Sequence, residues 1–266
     1  MLRIGAVSYL NTKPLIAGLV DRLDGRGELS LNLPSRLADD LNAGQLDVAL
    51  IPIIEYFRAE AENPGKLELI SNAVIGCRGP VWSVRLVSRV PISRIRTLAL
   101  DEGSRTSAAL VQVLLWEMHG LRPKTVPLSM EQLPASSEAD AILLIGDRAM
   151  RPARGVYEEI WDLGDRWCRW TELPFVFAAW VARRDADTSG LGEVLEASRD
   201  DGVASLEAIA RREAAQHGLT TEDLHDYFCR NLHYHLGSRE RAGMETYRAK
   251  AATLGLVPPA SVDPVN

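Results

Sequence analysis

Two periodicities alternate along the chain. "LRIGAV" is apolar enough for a strand and runs directly into the polar stretch "SYLNTKPL", where Pro14 predicts the opening of a short helix carrying Leu15, Ile16 and Leu19. "LSLNLP" alternates with period two and predicts a second strand. In "SRLADDLNAG", Leu37 and Leu41 share a helical face, with Ser35 as candidate N-cap and Gly44 as the stop. "LDVALIP" is a continuous apolar run, the pattern of a strand buried on both faces, and "LELISNAVIG" predicts a fourth strand. A second series begins near Thr97: strand "TLALD", a helix in "SRTSAALVQVLLWEMHG" closed by Gly120, strands "KTVPL" and "AILLI", then "GDRAM" as a turn and short helix ended by Pro152. "VYEEIWDLG" and the aromatic-rich "WCRWTELPFVFAAWVARR" complete this part. From about residue 189 apolar positions recur three and four apart, predicting helices, before a Pro-rich tail.

Alternating strands and helices predict α/β layers with largely parallel sheet. Two extended apolar crossings, "GPVWSVRLVS" at 79–88 and "LPFVFAAWVA" at 173–182, divide the chain into two lobes, residues 1–85 with 182–266 and residues 86–181. A single doubly wound sheet fits the same string of elements. In either arrangement a ligand is expected at the carboxyl ends of the strands, and with two lobes in the cleft between them.

Composition narrows the function classes. The 266 residues are 46% hydrophobic and 25% charged, ordinary for a soluble globular protein. A net charge of −6 without a Lys/Arg stripe argues against nucleic acid or an anionic membrane as partner. No run approaches the roughly 20 apolar residues of a membrane span, and the N-terminus lacks a signal-peptide pattern, so a cytoplasmic location is expected. Cys77, Cys168 and Cys229 are far apart and show no metal-ligand spacing, which predicts reduced thiols and no metal centre. A nucleophile elbow, a phosphate-binding loop, a dinucleotide fingerprint and a zinc-protease motif are all missing. His233 and His235, two apart on an expected helix, would not share a face. Trp161, Trp167, Trp170 and Trp180 fit lobe packing or a ring-binding pocket.

Four segments place hydrogen-bonding residues after a strand. In "SYLNTKPL", Asn11 can orient a carboxylate or hydroxyl, or it can cap a helix together with Thr12. In "DEGSRTS", Ser104, Thr106 and Ser107 offer hydroxyls and free N–H groups where a helix begins, with Arg105 beside them; this suits an anion, or a plain N-cap. In "GPVWSVRL", Gly79 allows close approach, and Ser83 sits inside an apolar run where it needs a partner, either a ligand or a backbone carbonyl. In "LLIGDRAM", Gly146 and Asp147 end a strand, and Asp147 also reads as an N-cap.

"SYLNTKPL", "LDVALIPIIEY", "GPVWSVRLVS", "LALDEGSRTS", "LLIGDRAM" and "DLGDRWCRWTELPFVFAAW", in this order and at these distances, resemble the chorismate dehydratase family of the futalosine route to menaquinone. The resemblance covers residues 3 to about 182, with a weaker helical echo in "YFCRNLHYHLGSRERAGM" to about 244. It implies a two-lobed α/β fold like periplasmic solute-binding proteins of the second type. The implied reaction is loss of water from chorismate, a small dianion, to give 3-((1-carboxyvinyl)oxy)benzoate, without a cofactor or metal. It further implies Asn11 and Ser83 against the substrate as catalytic groups, and Ser104, Thr106 and Ser107 at a carboxylate. The remaining candidate contacts are Ser8, Tyr9, Thr12, Pro52, Gly79, Val81, Arg105, Gly146, Asp147 and Phe175. Arg78, Trp82 and Glu172 depart from the family pattern and bear on pocket shape.

Aromatisation drives such a dehydration, so orientation, recognition of two carboxylates and help for the departing hydroxide are what the protein must supply. Glu55, Asp101 and Asp147 are candidate bases; the alternative acceptor is the substrate's own side-chain carboxylate. Two rival readings remain open: a 1,4-dihydroxy-6-naphthoate synthase of the same pathway, which shares the two-lobed architecture, or a cytosolic binding protein for a small carboxylate. Oligomeric state is not readable from the sequence.

Overall fold

The computed structural model describes residues 1–129, 131–150 and 157–258; Pro152 and the Pro-rich tail lie outside the described residues. In chain order the first elements are β1 (Leu2–Val7), a 3₁₀ segment (Leu10–Ile16), α1 (Leu19–Leu23), β2 (Gly27–Asn32), α2 (Pro34–Asn42), β3 (Val48–Pro52), α3 (Ile53–Glu62) and β4 (Leu67–Cys77). The middle of the chain forms β5 (Val84–Ser88), β6 (Thr97–Asp101), α4 (Arg105–His119), β7 (Lys124–Leu128), β8 (Ala141–Ile145), α5 (Asp147–Met150), β9 (Glu159–Asp162) and α6 (Leu163–Thr171). After β10 (Phe175–Arg183) come α7 (Leu191–Ala204), α8 (Leu206–Glu213), α9 (Thr221–Asp226), a π turn (Tyr227–Asn231), β11 (His233–His235) and α10 (Ser238–Thr253).

Two sheets give two lobes: a six-stranded sheet in the order β11-β4-β10-β3-β1-β2 and a five-stranded sheet in the order β7-β6-β8-β5-β9. Both sheets are mixed. β1, β2 and β3 run parallel, as do β6, β7 and β8, but β10 enters antiparallel to β3 and β4, and β5 antiparallel to β8 and β9. β11 is also antiparallel, to β4, so the expected largely parallel sheet fails at three strands, each of which enters its sheet against its running direction. β5 belongs to the second sheet from Val84 and β10 to the first from Phe175. Two separate sheets rule out a single doubly wound sheet.

The local patterns explain the elements. All five residues of β3 and the first eight of the nine in β10 are buried, which apolar runs permit and alternating ones would not. α2 begins with Pro34 at its first position, and the Leu33 N–H is taken by Asn32 Oδ1 at 2.8 Å, so Ser35 lies inside the helix and is not its cap. Pro14 sits within the 3₁₀ segment, which begins at Leu10; lacking an N–H, it cannot complete an α-type bond back to the Leu10 carbonyl. α4 is capped by Ser104, whose Oγ accepts from the Ser107 N–H, and stops at Gly120 with φ 66°.

Late in the chain, His233 and His235 fall on β11, not on a helix. A register irregularity between them leaves His233 half-buried, 3.5 Å from Glu240, and His235 exposed. Trp167 is fully buried, with Trp170, Phe175 and Tyr247 set edge-on around it, which is lobe packing. α7 lies so close to the 3₁₀ segment that a Cβ on Gly202 would collide with the Pro14 carbonyl, and Ser198 Oγ donates to the Ala17 carbonyl at 2.7 Å. Among the described residues no helix is long and apolar enough to cross a membrane.

Candidate active site

A small cavity of about 50 Å³ lies between the lobes, tighter than the roughly 300–1,000 Å³ usual for small-molecule sites, so a ring-sized ligand requires the lobes to part. It sits beyond the carboxyl ends of β1, β3, β6 and β8. Tyr9 and Asn11 follow β1, Pro52 ends β3, Ser104 and Ser107 follow β6, and Gly146 follows β8. Val81 and Ser83 enter from the loop ahead of β5, Val84 from the start of β5, and Phe177 and Ala178 from β10. The polar lining is hydroxyls and one amide, set among apolar side chains.

The two residues expected to be catalytic line this one cavity although 72 positions separate them in the sequence. Asn11 Oδ1 accepts from the Thr12 hydroxyl at 3.4 Å. The Ser83 backbone is held by Gly146, whose N–H donates to its carbonyl at 2.8 Å. Ser83 Oγ receives the Tyr227 hydroxyl at 2.9 Å and has the Val81 carbonyl as a distant acceptor at 3.4 Å. The Tyr9 hydroxyl is buried without a hydrogen-bond partner among the described residues; burial, then the Asp101 carboxylate, pushes it up to about 12.

At the start of α4 the predicted triplet separates. Ser104 and Ser107, three apart, face the cavity and are linked by their hydroxyls at 2.8 Å. Thr106 points the other way: its Oγ1 accepts from the Ile54 N–H at 3.4 Å and its carbonyl from the Tyr247 hydroxyl at 2.9 Å. Arg105 also faces away, its guanidinium on Asp39 of α2 at 2.7 Å and on Glu55 of α3 at 3.1 Å. Both residues stitch the lobes together and do not line the cavity.

Five other candidates are placed outside the lining. Ser8 is exposed, and its N–H continues the β1–β2 ladder onto the Asn32 carbonyl. Thr12 is buried behind Asn11. Gly79 packs its carbonyl against Gly164 of α6, where a Cβ would come within 2.6 Å. Asp147 binds His217 Nδ1 at 2.5 Å. Phe175 is buried against Trp167 and Tyr247, and Phe177, two residues on, reaches the cavity instead. The three candidate bases are held elsewhere: Glu55 by Arg58 and Arg105, Asp101 by the Gly103 N–H and Arg148, Asp147 by His217. Burial raises the Asp101 carboxyl, with Gly103 and Arg148 opposing.

Sequence reasoning missed Val7, Pro34, Ile75, Val84, Ile145, Phe177, Ala178 and Leu232 in the lining, and Tyr227 behind Ser83. The apolar ones look like any core residue. Tyr227 comes from a segment 144 positions away, where only its place in an interrupted helical pattern marks it.

A family model described as menaquinone biosynthesis matches residues 2–253. A chorismate dehydratase of Thermus thermophilus is 32% identical over 271 residues, covering 95% of each chain. This chain belongs to the menaquinone-biosynthesis family. Its fold is shared with solved structures of low identity: a protein from Archaeoglobus fulgidus (TM-score 0.72, 18% identity, 96% of this chain and 98% of that one) and the periplasmic aliphatic sulphonate binding protein of Escherichia coli (TM-score 0.64, 17% identity, 97% and 89%). The menaquinone-biosynthesis chain is thus built on the two-lobed frame of periplasmic binding proteins, its cavity in the cleft between the lobes.

Proposed function

We propose that this protein is a chorismate dehydratase, a cytoplasmic hydro-lyase that eliminates water from chorismate without a cofactor to give 3-((1-carboxyvinyl)oxy)benzoate. The observation that carries the reading is the meeting of Asn11, Ser83 and the Ser104/Ser107 helix start in one inter-lobe cavity, in a chain 32% identical to a chorismate dehydratase. Ser104 and Ser107 hold one carboxylate by their hydroxyls and the adjoining N–H groups. Asn11 and Ser83 hold the ring hydroxyl or the enolpyruvyl carboxylate, and Tyr9 supplies a phenol that stays protonated. The apolar walls exclude water and strengthen each of these contacts.

The C–O bond to the ring hydroxyl breaks with its electron pair on oxygen, and the ring proton beside the enolpyruvyl ether leaves as the ring becomes aromatic. Because Glu55, Asp101 and Asp147 are engaged in ion pairs and N–H bonds outside the lining, the substrate's own side-chain carboxylate takes that proton. The test is incubation with chorismate, followed by mass and ultraviolet absorbance. Loss of one water with appearance of an aromatic product is expected. An unaltered ligand that raises the melting temperature would mark a binding protein instead, and no effect at all would favour the naphthoate synthase. A collapse of turnover in Glu55→Gln, Asp101→Asn or Asp147→Asn with chorismate binding intact would sink the substrate-assisted step.

A further inference from the structure

We propose that Tyr227 is a positioning residue for this dehydration: its phenol fills the acceptor side of Ser83 and so turns the serine's own proton toward the cavity. The inference rests on the functional reading above. Tyr227 opens the π turn, is 1% exposed, and donates to Ser83 Oγ at 2.9 Å. A serine hydroxyl has one proton and two acceptor positions, and a phenol is the better donor of the two groups. With Tyr227 donating, the described residues offer the Ser83 proton only the Val81 carbonyl at 3.4 Å, a long contact that a ligand oxygen in the cavity outcompetes. Burial pushes the Tyr227 phenol far up, so it remains a donor across the working pH range.

The surroundings of Ser83 are fixed from both sides. At the other end of the π turn, Asn231 Nδ2 donates to the Pro80 carbonyl at 2.9 Å, and the Trp82 ring stands edge-on to Tyr227 at 5.7 Å. The Asp162 carboxylate accepts the N–H groups of Val81 at 2.9 Å and Trp82 at 2.7 Å. Between them Trp82 adopts φ 63°, a left-handed conformation that a non-glycine residue keeps only when its neighbours over-determine it. π turns of this kind recur at functional sites. In the elimination the departing oxygen gathers negative charge, and a serine already accepting from a phenol donates more strongly to it. Tyr227 moves no proton of its own in the step.

The experiment is a double-mutant cycle of Tyr227→Phe and Ser83→Ala, with chorismate turnover as one readout and the crystal structure of Tyr227→Phe as another. Phenylalanine keeps the ring packing on Trp82. The expected result is a fall in kcat of about tenfold with KM within about twofold, and no further loss when Tyr227→Phe is added to Ser83→Ala. In the crystal, Ser83 Oγ is expected to rotate onto the Val81 carbonyl. A wild-type rate for Tyr227→Phe, an equal fold-loss in both backgrounds, or an unmoved Ser83 rotamer would overturn the proposal. If the wild-type protein leaves chorismate unaltered, the functional reading fails while the rotamer still decides the role of Tyr227.

Discussion

At the scale of single residues, the site depends on donors presented to an anion without competing charges. Among the described residues Asn11 is the one side-chain amide in the lining, so its removal leaves no like group there. Asn11→Ala is expected to lower kcat/KM by at least about a hundredfold, the usual cost of losing one preorganised donor, with the melting temperature little changed. Ser83→Ala is expected to match it; near-normal rates in both folded variants would refute the assignment. Ser83 stood out as a polar side chain inside an apolar run, whereas Asn11 sat in a polar turn and was set against the substrate by the family resemblance alone. The division of labour at 104–107 was not legible: only the three-dimensional helix shows that Ser104 and Ser107 share the cavity face while Arg105 and Thr106 turn to the other lobe. Phe175 and Phe177 posed the same difficulty, since two buried aromatics on one strand cannot be told apart by pattern.

Element by element, the strands and helices were largely visible in the periodicity, but their starts and directions were not. Pro34 displaced Ser35 as the start of α2, and the antiparallel entries of β5 and β10 depend on where the chain returns from, which no local window contains. Close approach of elements is equally non-local. Gly202→Ala would drive a methyl into the Pro14 carbonyl, a backbone atom that cannot rotate away, so α7 must shift from the segment that carries Asn11. A destabilisation of about 1–3 kcal/mol is expected in urea unfolding, with a parallel loss of turnover; an unaffected variant would show that the two elements are not rigidly coupled. In the second lobe, Asp140 ties the head of β6 to that of β8. Burial alone pushes its carboxyl up, but the N–H groups of Arg96 and Thr97 and the Thr97 hydroxyl outweigh it and hold it below the ordinary value. A depressed folded value means the contribution is present above the unfolded value near 3.9 and fades as pH falls through the folded one. Asp140→Asn is therefore expected to cost about 1 kcal/mol at pH 7, the gap to wild type narrowing near pH 3; a constant gap would show that the charge is not what matters.

For the whole molecule, the question is what keeps the lobes closed over the cavity. The two-lobed plan was legible in the paired crossings, whereas the contacts that bind the lobes came only with the structure. Arg105 is central among them: it stands at the first residue of α4, beside the cavity-lining Ser104, and reaches Asp39 and Glu55 on two helices of the opposite lobe. Its pair with the exposed Asp39 is screened by water and contributes little. The pair with Glu55, a buried carboxylate shared with Arg58, is the firmer one. If the binding-competent closed form is only a fraction of the population, the apparent affinity for substrate falls by that fraction. Arg105→Ala is accordingly expected to raise the KM for chorismate about fivefold while leaving kcat within about twofold, because the bound, closed complex is chemically unchanged. Salt should weaken wild-type binding more than that of the variant between about 0.05 and 0.5 M, since screening acts on a charge pair the variant has already lost. Small-angle scattering of the ligand-free variant should show a larger radius of gyration than the wild type, converging when substrate or product is bound. An unchanged KM with identical scattering would mean that the apolar core between the lobes, not this ion pair, sets the closed state.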